Sequence, residues 1–284
     1  MADVVGMPPL ENLSPHEAEI VKARWFGDPF IEVPEEYSLE TEATAFFKAA
    51  DCQNSPYFPK IDFYHSYSHG SLSMLPCFRT YQQTRGHTCA SAVALMTLCH
   101  FGNYDWHELE ISDKMASFHG LPPGTRRPTP VGDLLRFFRS IGWETESNLP
   151  CAARYPVSGE REYNPWAAER AKTFPRLEDF AAYCKKMLRA GIPIMVENID
   201  WGAHWRAIVG YDDMGSDNPL HGVLIIVDPH DTADHCQDGF VIEHIDKFYC
   251  TWYDVFVMEL TECTQPFVAA WPPDWKGGFD HKQR

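Results

Sequence analysis

The sequence predicts an α+β fold in which helices pack against a mostly antiparallel sheet. Three observations carry this expectation. An almost wholly apolar run of helix formers follows Cys89. Two later segments, within 131–141 and 177–190, repeat apolar residues at helical spacing. Beyond residue 190 the chain breaks into short apolar runs bounded by turn residues.

Residues 1–70 read as an N-terminal arm, largely irregular and packed on the main domain. Pro8, Pro9, Pro15, Pro29, Pro34, Pro56 and Pro59 punctuate it, and one helical stretch is expected around Glu40–Ala50. Residues 71–284 form the main domain. The run from Cys89 to Phe101 predicts a helix that must be buried on nearly all sides, with Gly102 at its C-terminal end. A second helix is expected after Thr129, with Thr129 as N-cap and Pro130 at the first position. Its inward residues are Val131, Leu134, Leu135, Phe138 and Ile141. A third runs from about Leu177 to Ala190, with Phe180, Cys184 and Met187 on one face and Gly191 closing it. Strands are expected at Pro193–Glu197, Trp205–Tyr211, Val223–Asp228, Phe240–Ile245 and Val255–Leu260.

Composition narrows the function classes. The formal net charge is −16, from 40 acidic and 24 basic residues. A nucleic-acid partner needs a basic face, and an anionic membrane surface is disfavoured for the same reason. Met1–Leu10 has no basic and apolar regions of a signal peptide, and no stretch approaches the ~18 apolar residues of a membrane span. Nine scattered cysteines with no CxxC pair suggest free thiols in a reducing cytoplasm rather than a disulfide framework or a zinc knuckle. A cytoplasmic enzyme without metal or other cofactor is the expectation.

The chemistry centres on Gln83-Thr-Arg-Gly-His-Thr-Cys89. Cys89 stands at the start of the buried helix, where free backbone N–H groups and the helix dipole concentrate positive potential. That potential favours the thiolate, which is the nucleophile. Six residues earlier, the Gln83 amide can donate to an oxyanion beside the N–H of Cys89; such donors contribute about 3–4 kcal/mol each in acyl transfer. Gln82 is its neighbour, and only the six-residue spacing favours Gln83. A base is available in Gly202-Ala-His204, at the start of a strand, and the following strand ends in Asp228 before Pro229. Adjacent antiparallel strands can set that carboxylate against the histidine ring. Asp212 and Asp213 are alternatives to Asp228.

The order Gln83, Cys89, His204, Asp228, in the contexts Gln83–Gly102, Gly202–Asp212 and Leu224–Pro229, resembles the papain-like cysteine peptidases. It is most similar to the bacteriocin-processing, double-glycine leader peptidases (cysteine peptidase family thirty-nine) and their stand-alone relatives. The resemblance covers roughly residues 75–260. It implies a papain-like catalytic domain with Gln83 as oxyanion donor, Cys89 as nucleophile, His204 as base and Asp228 as the residue that orients it. The implied substrate is a peptide or protein. Relatives usually carry glycine after the cysteine, whereas Ala90 stands here, and no transporter domain accompanies the peptidase-like region. An amine acyltransferase of transglutaminase type, or a peptide-binding module without catalysis, are the other functions this pattern admits.

Other clusters read as structural. Cys99 and His100 lie near the far end of the helix that Cys89 begins, and are expected in the core and at the C-cap. The segment Asp228-Pro-His230-Asp231-Thr-Ala-Asp234-His235-Cys236 carries metal-binding residue types but reads as a solvated turn. Trp201, Trp205, Trp252 and Tyr253 are candidates for either cleft walls or core.

Overall fold

A computed structural model describes residues 61–149, 172–199, 203–230, 238–253 and 264–277. The expected helix at Glu40–Ala50, the expected strand at Val255–Leu260 and most of the N-terminal arm lie outside the described residues. Five α-helices and seven strands are present among those described: β1 Leu72–Met74, α1 Cys89–His100, α2 Glu108–Ser117, α3 Val131–Ser140, β2 Glu144–Ser147, α4 Leu177–Arg189, β3 Ile194–Asn198, β4 His204–Asp212, β5 Val223–Val227, β6 Phe240–His244, α5 Ile245–Thr251 and β7 Phe267–Trp271.

Three of the helices end where glycine permits it. Gly102 has φ +81°, and the chain turns back so that the N–H of Asn103 donates to the Leu98 carbonyl at 2.9 Å. Gly142 closes α3 and Gly191 closes α4 with the same pair of backward hydrogen bonds. Every residue of α1 after Cys89 is buried, as its unbroken apolar character requires. The second helix differs from expectation by one position. Pro130 is extended (φ −70°, ψ 158°) and caps α3, which begins at Val131. Thr129 lies outside it, and its carbonyl accepts from Trp205 Nε1 at 2.8 Å.

The sheet is antiparallel throughout, in the order β2-β7-β3-β4-β5-β6. β4 is its longest strand and serves three partners. β3 pairs with the half beginning at His204, β1 with the half ending at Asp212, and β5 lies along the other edge. A bulge between Ile208 and Gly210 interrupts the β5 register. A Cβ at Gly210 would lie 2.5 Å from the sulfur of Met74, so this crossing requires glycine. Both α1 and α4 pack on β4, α3 packs on β2 and β7, and α2 bridges α1 and α3.

Three strands and two helices were not expected. β2 reads Glu-Thr-Glu-Ser and alternates buried with half-buried positions, but its inward residues, Thr145 and Ser147, are polar and give no apolar signal. β1 has only three residues. β7 is an apolar run flanked by Pro266 and Pro272, and short α5 follows directly on β6. Strands are therefore interleaved with the helices rather than gathered after them.

Candidate active site

The site forms where α1 begins, β4 begins and β5 ends. Antiparallel pairing sets Ala207 opposite Val227, so Asp228, one residue past β5, falls beside the start of β4. His204 Nε2 lies 2.7 Å from Asp228 Oδ1, and both side chains are almost fully buried. Asp228 also accepts the N–H of His230 at 2.8 Å, and its own N–H donates to the Gly239 carbonyl. The half-buried Cys89 sulfur lies close enough to the His204 ring to interact with its charge. With Nε2 occupied by Asp228, Nδ1 is the nitrogen left for the sulfur.

These contacts set the charges. Burial alone would lower the His204 pKa, but the charge and hydrogen bond of Asp228 outweigh it, with a smaller contribution from Cys89, and raise it to about 10. Burial pushes the Asp228 carboxyl up, yet the charge and hydrogen bond of His204, the charge of Arg206 and the His230 N–H together hold it well below the usual range. The ring of His230 stands edge-on to His204, centroids 5.8 Å apart. Burial and the nearby His204 charge lower the His230 pKa.

Gln83 is buried, and its backbone N–H donates to the Pro229 carbonyl at 2.9 Å, which ties the segment before α1 to the end of β5. Its Nε2 donates to the Arg85 carbonyl at 2.7 Å. Sequence reasoning did not foresee that bond, which uses one of the two amide protons. Nearby, the Thr80 hydroxyl donates to the Asp238 carbonyl at 2.7 Å.

Asp212 and Asp213 stand at the opposite end of β4 from His204, about 25 Å away by strand geometry. Asp213 pairs with Lys185 at 2.6 Å, and Asp212 accepts the N–H of Met214. Cys99 and His100 are buried at the far end of α1, where burial pushes the Cys99 thiol up and His100 Nε2 lies 3.0 Å from the Gly191 carbonyl. Trp252 belongs to the core, in a cluster with Phe174, Phe180, Phe248 and Phe267. Trp201 and the segment 231–237 lie outside the described residues, and no described group of three His, Cys, Asp or Glu side chains could hold a metal ion.

A cavity of about 380 Å³ opens beside Cys89. Gly86, Ala203, Trp205, Arg126, Arg127 and Glu197 are among its lining residues. Ala203, directly before His204, has φ +94°, a strained conformation for a residue with a Cβ. Arg127 is anchored from behind by buried Asp133, which His119 also contacts at 2.7 Å. None of these polar wall residues was singled out from the sequence, because the chain brings them to the site from separate loops and strands. Glu108 was missed too, although an acidic first turn with Glu108 and Glu110 is a helix-start signal.

The profile of the Peptidase_C39-like family matches residues 77–253, which spans Gln83, Cys89, His204 and Asp228. The chain belongs to the Peptidase_C39-like family. That membership covers more than half the chain, agrees with the α+β architecture described above, and supports a cysteine-peptidase type of function. No curated protein matches the sequence. No helix among the described residues is long and apolar enough to cross a membrane.

Proposed function

We propose that this C39-like protein is a cysteine hydrolase that cleaves a peptide or amide bond through a thioester on Cys89. The observation that carries the reading is the line of groups from half-buried Cys89 through buried His204 to buried Asp228, open to a cavity at the sulfur. The raised His204 pKa keeps the ring doubly protonated at neutral pH. Asp228 fixes Nε2–H, and Nδ1–H faces the sulfur, an arrangement that suits an imidazolium–thiolate pair.

In the first half-reaction the Cys89 sulfur bonds to the substrate carbonyl carbon. The N–H of Cys89, in the first turn of α1 where helical partners are lacking, and the second proton of Gln83 Nε2 hold the resulting oxyanion. The C–N bond breaks as His204 gives a proton to the leaving amine. Water then attacks the thioester, His204 takes its proton, and the acid leaves as the thiolate returns. The wild type and Cys89→Ala should be incubated with a diverse peptide library and read by mass spectrometry. Cleavages that vanish in Cys89→Ala support the reading. Identical product sets, or products that are all amine adducts when excess amine is present, overturn hydrolysis at Cys89.

A further inference from the structure

We propose that Glu108 is a positioning residue for the oxyanion donor Gln83, an inference that rests on the hydrolase reading above. Glu108 is the first residue of α2 and is buried, outside the Cys89–His204–Asp228 chain of contacts. It reaches into the segment between Tyr81 and Thr88. Oε1 accepts the Thr84 N–H at 2.8 Å and the Thr88 hydroxyl at 2.5 Å, and Oε2 accepts the Tyr81 hydroxyl at 3.3 Å. One carboxylate therefore fixes the residue after Gln83, the residue before Cys89 and the start of the segment. A carboxylate in the first turn of a helix is itself favoured by the helix dipole.

Counting protons makes the link to Gln83 specific. The Thr88 hydroxyl lies within hydrogen-bond distance of two acceptors, Glu108 Oε1 and the Arg85 carbonyl at 2.9 Å. It has one proton to give. Glu108, the charged acceptor, takes it. The Arg85 carbonyl has two lone pairs; it accepts the Thr88 N–H at 3.3 Å with one and Gln83 Nε2 at 2.7 Å with the other, and the latter bond sets the plane of the Gln83 amide. Without Glu108 the Thr88 proton turns to the Arg85 carbonyl and competes with Gln83. The amide loses its anchor, and its second proton no longer points steadily at the oxyanion.

The test separates oxyanion stabilisation from thiolate reactivity and needs no natural substrate. With p-nitrophenyl acetate, the Cys89 sulfur bonds to the acetyl carbon through an oxyanion and p-nitrophenolate leaves with the electron pair. With iodoacetamide, the sulfur displaces iodide and no oxyanion forms. Loss of one oxyanion donor costs about 100-fold or more, so partial misplacement in Glu108→Ala should slow acylation by about 10-fold or more while alkylation changes less than about 2-fold. Glu108→Gln, which keeps an acceptor at Oε1, should recover most of the acylation rate. In a Thr88→Val background, which has no competing hydroxyl, Glu108→Ala should add little, and Glu108→Asp, whose carboxylate is one methylene shorter, should show the same split as Glu108→Ala and serves if Glu108→Ala does not fold. In a Gln83→Ala background, Glu108→Ala should add nothing. Equal losses in both reactions, no loss in either, or full additivity with Gln83→Ala overturns the proposal. Slow acylation in Gln83→Ala with normal rates in Glu108→Ala and Glu108→Asp, or an undiminished Glu108→Ala loss in the Thr88→Val background, defeats the role of Glu108 alone. Normal acylation in Gln83→Ala defeats the oxyanion assignment beneath it.

Discussion

Moving an imidazolium and a carboxylate from water into a protein interior costs several kcal/mol per ion unless the two are paired with good geometry. His204 and Asp228 meet that condition at 2.7 Å, and the consequence is measurable. In an NMR titration, His204 should lose its proton near pH 10. In Asp228→Asn the charge that raises the value is gone while burial, which lowers it, remains. The titration should then fall below the ordinary 6.5, and the alkaline limb of activity should move down with it. A ring that still titrates near 10 in Asp228→Asn would show that another group supplies the charge. The same shifts govern stability. Because the folded pKa of His204 is raised, its contribution is fully present below 6.5 and is lost as pH rises through about 10. The depressed Asp228 carboxyl contributes above its ordinary 3.8 and loses that contribution as pH falls below it. Wild-type Tm should therefore decline between pH 6.5 and 10 more steeply than that of Asp228→Asn, as differential scanning calorimetry can check.

Between elements, the site depends on a close approach of the segment before α1 to the β5–β6 connection. Gly239 has φ +78°, and a Cβ there would lie 2.4 Å from the Cβ of Thr80. Gly102, at the end of α1, has a similar φ of +81° but nothing within 4 Å of such an atom. The pair separates backbone strain from steric exclusion. Gly102→Ala should cost about 1 kcal/mol through conformation alone. Gly239→Ala carries that strain and a clash, for about 2–4 kcal/mol in total, and it should also slow alkylation of Cys89 because Thr80 and Gln83 share one segment. Urea midpoints and alkylation rates for the two variants decide the matter. Equal costs and equal rates would remove the Thr80 contact from any role in building the site.

For the molecule as a whole, the sheet carries a second buried ion pair that links β4 to β6 across β5. Arg206 Nη2 donates to Glu243 Oε2 at 2.9 Å, with both side chains nearly inaccessible, and Lys247 of α5 meets the other oxygen at 2.9 Å. Glu243→Ala leaves the buried Arg206 guanidinium without this partner and should destabilise the fold by about 3–5 kcal/mol. A loss under about 1 kcal/mol in a urea titration would mean that other groups already satisfy Arg206. The nearby Asp228 predicts a second effect. Arg206 then has one fewer carboxylate to share its charge, so Asp228 should stay ionised and the His204 titration should move little. A large fall in the His204 value in Glu243→Ala would show that the two ion pairs act as one.

Much of this arrangement was legible in local chemistry. An apolar run without a polar face dictates a buried helix, a glycine that tolerates a left-handed turn dictates where α1 and α4 stop, and the cysteine at a helix start with a histidine and an aspartate at strand ends marks the groups that the proposed reaction uses. Local pattern could not reveal β2, whose inward residues are Thr145 and Ser147, because cross-strand burial rather than apolar character makes it a strand. Nor could spacing choose between Asp228 and Asp212 or Asp213: all three stand at or just past the end of a strand, and only the antiparallel register carries Asp228 to the His204 end of β4 and leaves the other two at the far end. The polar wall residues Arg126, Arg127 and Glu197, and Glu108, were hidden for the same reason. Arg126 and Glu197 reach the cavity from separate stretches of chain, Glu108 reaches the segment before Cys89 from a third, and a sequence orders residues along the backbone, whereas a site is ordered by what the folded core brings within a few ångströms.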